Sequence, residues 1–126
     1  MLQVYTAIVG YPGGDRLDVS LKTGDRVFAP SRDMAREAKA GLLDWDGYVK
    51  AYLQHMRLSY KSNRPIWDLV LASPRVVLCC YCADPLRCHR SILAGIFVKL
   101  GARSCGEITE WDDTIESPIY KREQGQ

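Results

Sequence analysis

Apolar positions fall into short blocks separated by glycine, proline and charged residues, and the spacing within each block sets the element it predicts. From Gln3 to Val9 the chain is short-run apolar and β-branched, and it meets Gly10-Tyr11-Pro12-Gly13-Gly14, which predicts a strand followed by a loop. Leu17-Asp18-Val19-Ser20-Leu21 alternates apolar and polar residues before Lys22-Thr23-Gly24-Asp25, the pattern of a short extended segment or of an ordered loop crossing the sheet. Ser31 precedes a run of good helix formers that stops at Gly41, so a short helix capped by Ser31 is expected. Asp44 caps a longer helix in which Trp45, Tyr48, Val49, Tyr52, Leu53, Met56 and Tyr60 recur at spacings of three and four. Asn63, with Pro65 in a first helical turn, opens a third helix through Trp67 and Leu71.

Val76 to Tyr81 is apolar on both faces, as a strand covered on each side must be, and is expected at the centre of the sheet. Ile92, Leu93, Ile96, Phe97 and Leu100 form the stripe of a further helix ended by Gly101, and Arg103 to Ile108 predicts a last strand. Strands near both ends with helices between them predict a small three-layer α/β fold, its mainly parallel sheet joined by helical crossovers. Residues 1–117 make one domain in this reading, and 118–126 a flexible polar tail. The site then lies at the carboxyl ends of the strands, where the loop 10–16, the segment 22–32 and the turn 82–90 gather.

Composition narrows the setting. At 126 residues, with 47% hydrophobic residues and a formal net charge of +2, the chain is an ordinary globular domain whose anion binding must be local. Five cysteines are an odd number, and Cys79 and Cys80 adjoin in an apolar run, so reduced thiols in a cytoplasm are expected rather than a secreted disulfide framework. No run approaches the roughly 18 apolar residues of a membrane span, and residues 1–10 lack the basic start of a signal peptide. A cytoplasmic protein without a membrane partner follows, its oligomeric state open.

The chemistry concentrates between Val76 and Ser91, where a strand runs through a cysteine-rich turn into a helix start. Backbone N–H groups and the helix dipole point at such a turn and favour anions. Cys88 stands there with Arg87, His89 and Arg90, which is the setting of a reactive thiolate, or of a small residue filling a turn. The cysteine-x5-arginine spacing of thiol phosphatases is absent. Cys80, Cys82, Cys88 and His89 have zinc-ligand chemistry, yet adjacent ligands at 88 and 89 fit poorly, so no metal and no cofactor is expected. Arg87, Arg90 and Ser91 make an anion cradle that Lys22, Arg26 and Arg32 could close; alternatively these cations are solvated or pair with Asp15, Asp18 or Asp84. His89 is a general acid or base, or a donor to a carbonyl. Asp18 is a ribose contact or a loop cap, and the aromatic residues of the long helix are a stacking platform or core.

Leu17-Asp18-Val19-Ser20 with Lys22, the step Phe28-Ala29-Pro30, the helix from Trp45 to Tyr60, Trp67, and Leu78 to Cys82 followed by Cys88-His89-Arg90 resemble the domain-of-unknown-function family 488, in a short variant of the kind associated with phage and bacterial genomes. The resemblance implies a small α/β domain with its site around Asp18, Lys22, Cys88, His89 and Arg90, and it supplies no reaction. The expected function is binding of a nucleotide-like or nucleic-acid phosphate at residues 76–91. If the chain is an enzyme, it is a hydrolase or transferase acting on a nucleotide or glycosidic bond, with Cys88, His89 and Lys22 in the chemical step. The alternatives are a non-catalytic binder or sponge of a nucleotide signal, and a protein-interaction module.

Overall fold

A computed structural model describes residues 1–84 and 87–110, and the expected tail lies outside them. Among the described residues, four strands and four helices follow in the order β1 (Gln3–Ile8), β2 (Arg16–Asp18), α1 (Arg32–Lys39), α2 (Trp45–Ser62), α3 (Arg64–Leu71), β3 (Arg75–Cys80), α4 (His89–Lys99) and β4 (Arg103–Ile108). The strands form one parallel sheet in the order β2-β3-β1-β4, the small α/β fold that the spacing predicts. β1 and β3 pair in register from Gln3 with Arg75 to Ile8 with Cys80, so both central strands end at one edge. The alternating segment after Gly14 is a strand over Arg16–Asp18, paired with β3, and it turns into loop at Val19.

Alternation along the strands sends side chains to two clusters. Val4, Val76 and Leu78 join Phe28, Tyr52, Trp67, Leu93 and Phe97 in the main core, which the helices cover. Phe28, Trp67 and Phe97 meet edge to face, with centroids 4.9 to 5.9 Å apart. Tyr5, Ala7, Val77, Cys79 and Cys105 point to the opposite face and pack with Tyr11 of the loop after β1. Two aromatic residues of α2 and α3 carry polar groups into the main core and satisfy them there. Tyr52 Oη donates to the Phe28 carbonyl at 2.7 Å, and Trp67 Nε1 donates to Ser59 Oγ at 3.1 Å.

Helix ends follow the expected capping chemistry. Ser31 Oγ accepts from the Met34 N–H and Asp44 Oδ1 from the Gly47 N–H. Gly101, at φ +109°, takes the chain out of α4 in a conformation that a Cβ would oppose. Among the described residues no helix is long and apolar enough to cross a membrane.

Candidate functional site

The edge where β3 ends and α4 begins carries the densest chemistry. Cys79 and Cys80 occupy opposite faces of β3: Cys79 enters the cluster around Tyr11, whereas Cys80 faces the start of α4. Cys82 lies exposed in the connection, and Cys88, 1% exposed, is the N-cap of α4. The Sγ atoms of Cys80, Cys82 and Cys88 all lie within 4.8 Å of one another, a donor set with the softness and spacing to hold a metal ion. All five cysteines are free thiols.

This packing divides the three thiols. A hydrogen bond from the Cys80 thiol, helped by His89 and the Arg90 backbone amide, outweighs burial and holds Cys88 far below the ordinary thiol range. Cys80 is pushed correspondingly far up by donating to Cys88 and by burial. Burial, then the same bond network, raises Cys82. Of the three thiols, Cys88 is the one that this packing favours in its ionised form.

His89 and Arg90 are turned inward. His89 is 4% exposed, and its Nε2 donates to the Val19 carbonyl at 2.6 Å while the ring lies 3.7 Å from Cys80 Sγ. Arg90 is fully buried: Nη2 meets Glu107 Oε2 at 3.0 Å and Nη1 donates to the Cys82 carbonyl at 2.8 Å. Thr6 Oγ1 donates to the other oxygen of Glu107, so β1, β4, the cysteine turn and α4 are tied at one point. Ser91 Oγ is used in the first turn of α4, donating to the Cys88 carbonyl at 2.8 Å. Arg87 is exposed on the rim.

A cavity of about 350 Å³ opens onto this cluster. Cys82, Arg87, Cys88 and His89 line one side; Ala35, Ala38, Asp44, Trp45 and Tyr48 line the other. The indole of Trp45 and the phenol of Tyr48 are stacked, 5.6 Å between centroids and 14° between planes. Burial, then the charge on Cys88, pushes the Tyr48 phenol up, which keeps it a hydrogen-bond donor. The aromatic stripe of α2 thus has both roles that its spacing allows: Tyr52 is core, while Trp45 and Tyr48 wall the cavity.

Lys22 and Arg26 line a separate, more polar cavity of about 630 Å³ together with Arg32 and His55. Tyr81, which precedes Cys82, meets the loop that carries Lys22: Lys22 Nζ sits 5.9 Å from its ring and Thr23 Oγ1 is 3.1 Å from its hydroxyl. Asp18 organises this loop, accepting from the Ser20 N–H at 2.9 Å and from Thr23 Oγ1 at 2.5 Å. Burial raises its carboxyl, and the bonds from Thr23 and Ser20 overcome this and hold it below the usual range. Gly24 is required here, because a Cβ would lie 2.4 Å from the Ser20 carbonyl oxygen.

The structure thus brings Cys88, His89 and Arg87 to one cavity, places Lys22 and Arg26 in the neighbouring one, and engages Arg90, Ser91 and Asp18 with protein partners. Sequence reasoning did not single out Glu107 or Asp44. Glu107 was detectable only as the one acidic residue of β4, and Asp44 only as a helix cap.

A family model described as "Active DUF488-N3 subclade" (DUF488-N3a) matches residues 13–101. No curated protein and no solved structure matches the chain.

Proposed function

We propose, from the premise that the chain belongs to the DUF488 family, that it is an enzyme binding a nucleotide-like substrate in the cavity beside Cys88 and hydrolysing it or transferring part of it. The observation that carries this reading is Cys88, the cap of α4, on the wall of a cavity whose other side is a stacked indole and phenol. Aromatic faces accept a base by stacking whatever its identity. The Arg87 guanidinium on the rim is suited to a phosphate, and the cavity volume falls in the roughly 300–1,000 Å³ range of small-molecule sites. Lys22, Arg26 and Arg32 line a second cavity, and their charge supports reading it as a site for a further phosphate. Cys88 serves the bond-breaking step, and His89, anchored on Val19, positions it. The description of the matched subclade as active favours catalysis over passive binding. A reducing cytoplasm is the setting in which these thiols persist.

The test is turnover of a nucleotide and nucleoside panel by the wild-type chain, Cys88→Ala and His89→Ala. Cys88→Ala should abolish turnover while retaining nucleotide affinity, and His89→Ala should reduce it severely. Full activity in both variants would end the reading.

A further inference from the structure

Cys80 comes from the end of a strand, Cys82 from the following turn and Cys88 from a helix cap, yet their sulfurs converge within 4.8 Å. A thiol is a weak hydrogen-bond donor and acceptor, so three of them gain little from meeting one another. A tetrahedral ion with bonds of about 2.3 Å would hold sulfurs roughly 3.8 Å apart, which a side-chain adjustment of about one ångström achieves from this arrangement. The objection in the sequence was the adjacency of Cys88 and His89 as ligands. The structure removes that requirement, because His89 stands outside the trio with Nε2 committed to the Val19 carbonyl.

We propose that Cys80, Cys82 and Cys88 bind one zinc-class cation and leave its fourth position open to the cavity walled by Trp45 and Tyr48. Thiolates select a soft or borderline tetrahedral ion over magnesium or calcium, which take oxygen ligands. Cys82 and Cys88 both line the cavity, so the open position faces the space assigned to substrate. Three protein ligands and one open position are the arrangement of catalytic rather than structural zinc. With the ion bound, Cys88 serves the bond-breaking step as its ligand rather than as a free nucleophile, so the role of the ion in catalysis rests on the reading above; its binding does not.

The reduced full-length chain, freed of metal with a chelator, is titrated with Co²⁺ and then with Zn²⁺ under anaerobic conditions. One equivalent of cobalt should produce thiolate-to-metal charge-transfer absorption with the visible bands of a tetrahedral site, and one equivalent of zinc should remove both. Cys80→Ser, Cys82→Ser and Cys88→Ser should each weaken zinc binding at least about 100-fold, the upper end of what loss of a group behind the ligands costs. Cys105→Ala, in the cluster on the opposite face of the sheet, should leave the affinity unchanged. Because Cys82 is exposed, its serine variant keeps the core and reads coordination even where Cys80→Ser fails to fold. Absence of the cobalt signal at large excess, or a signal that Cys82→Ser and Cys88→Ser both retain, overturns the site. Nucleotide binding and turnover without metal would overturn the catalytic role of the ion and leave its site standing, and stoichiometric zinc without nucleotide affinity would overturn the nucleotide reading alone.

Discussion

Cys88, His89 and Arg90 are consecutive and have three different environments, because the first turn of a helix fans successive side chains around its axis. Cys88 meets the other sulfurs, His89 reaches the Val19 carbonyl, and Arg90 runs under the cysteine turn to Glu107. A fully buried guanidinium with a carboxylate partner is a structural ion pair. Arg90→Ala, which leaves Glu107 without its partner, should lower unfolding free energy by about 3–5 kcal/mol, measured by urea denaturation. Unchanged stability would contradict that assignment. Arg87 is the counter-case. Its substitution by alanine should leave the melting temperature unchanged and weaken nucleotide binding about 10- to 100-fold, as loss of a charged hydrogen bond of about 1.5–3 kcal/mol requires; titration of the variant checks it. From the sequence both arginines fit an anion cradle, and Arg90 is the favoured one to hold the anion, whereas in the structure its guanidinium is taken by Glu107. What separates them is Glu107, seventeen positions beyond Arg90 and on β4, which no local pattern links to it.

Whole elements were more readable than their meeting points. The three-and-four spacing from Trp45 to Tyr60 marks α2, and the two apolar faces of Val76 to Cys80 mark β3 as an inner strand, because each pattern reflects burial repeated over several residues. The three-residue β2 carries too little pattern to separate it from loop, and its identity depends on pairing with β3. Convergence of Cys80, Cys82 and Cys88 was illegible for a similar reason: it depends on how the connection between β3 and α4 folds back, and sequence spacing does not contain that path. Gly24 provides a test at this scale. A methyl group there would clash with the Ser20 and Asp18 carbonyls of the loop that carries Lys22. Gly24→Ala should destabilise the fold by about 1–3 kcal/mol and raise amide hydrogen exchange across residues 20–26, with α4 unaffected. Uniform protection in the variant would contradict the close packing of this loop.

Over the whole molecule, the parallel sheet sets where chemistry can occur, since β1 and β3 end side by side and both cavities form around the elements beyond that edge. The net charge of +2 provides no broad attraction for a polyanion, and the cations near the site are the local set Arg87, Lys22, Arg26 and Arg32. A ligand of nucleotide size meets few of them at once. Binding of a short single strand should therefore show a log–log salt slope no steeper than about −2, from roughly three phosphates neutralised at about 0.7 each. A much steeper slope would indicate an extended nucleic-acid surface.

The central claim is that the cavity between Trp45 and Cys88 holds a nucleotide-like molecule. Native mass spectrometry of the chain incubated with an equimolar mixture of nucleotides and nucleosides tests it most directly. The account predicts one bound nucleotide-like mass per wild-type chain, much reduced in Trp45→Ala and in Arg87→Ala although both variants remain folded. No adduct on the wild-type chain, or the same adduct at the same occupancy on both variants, would contradict it.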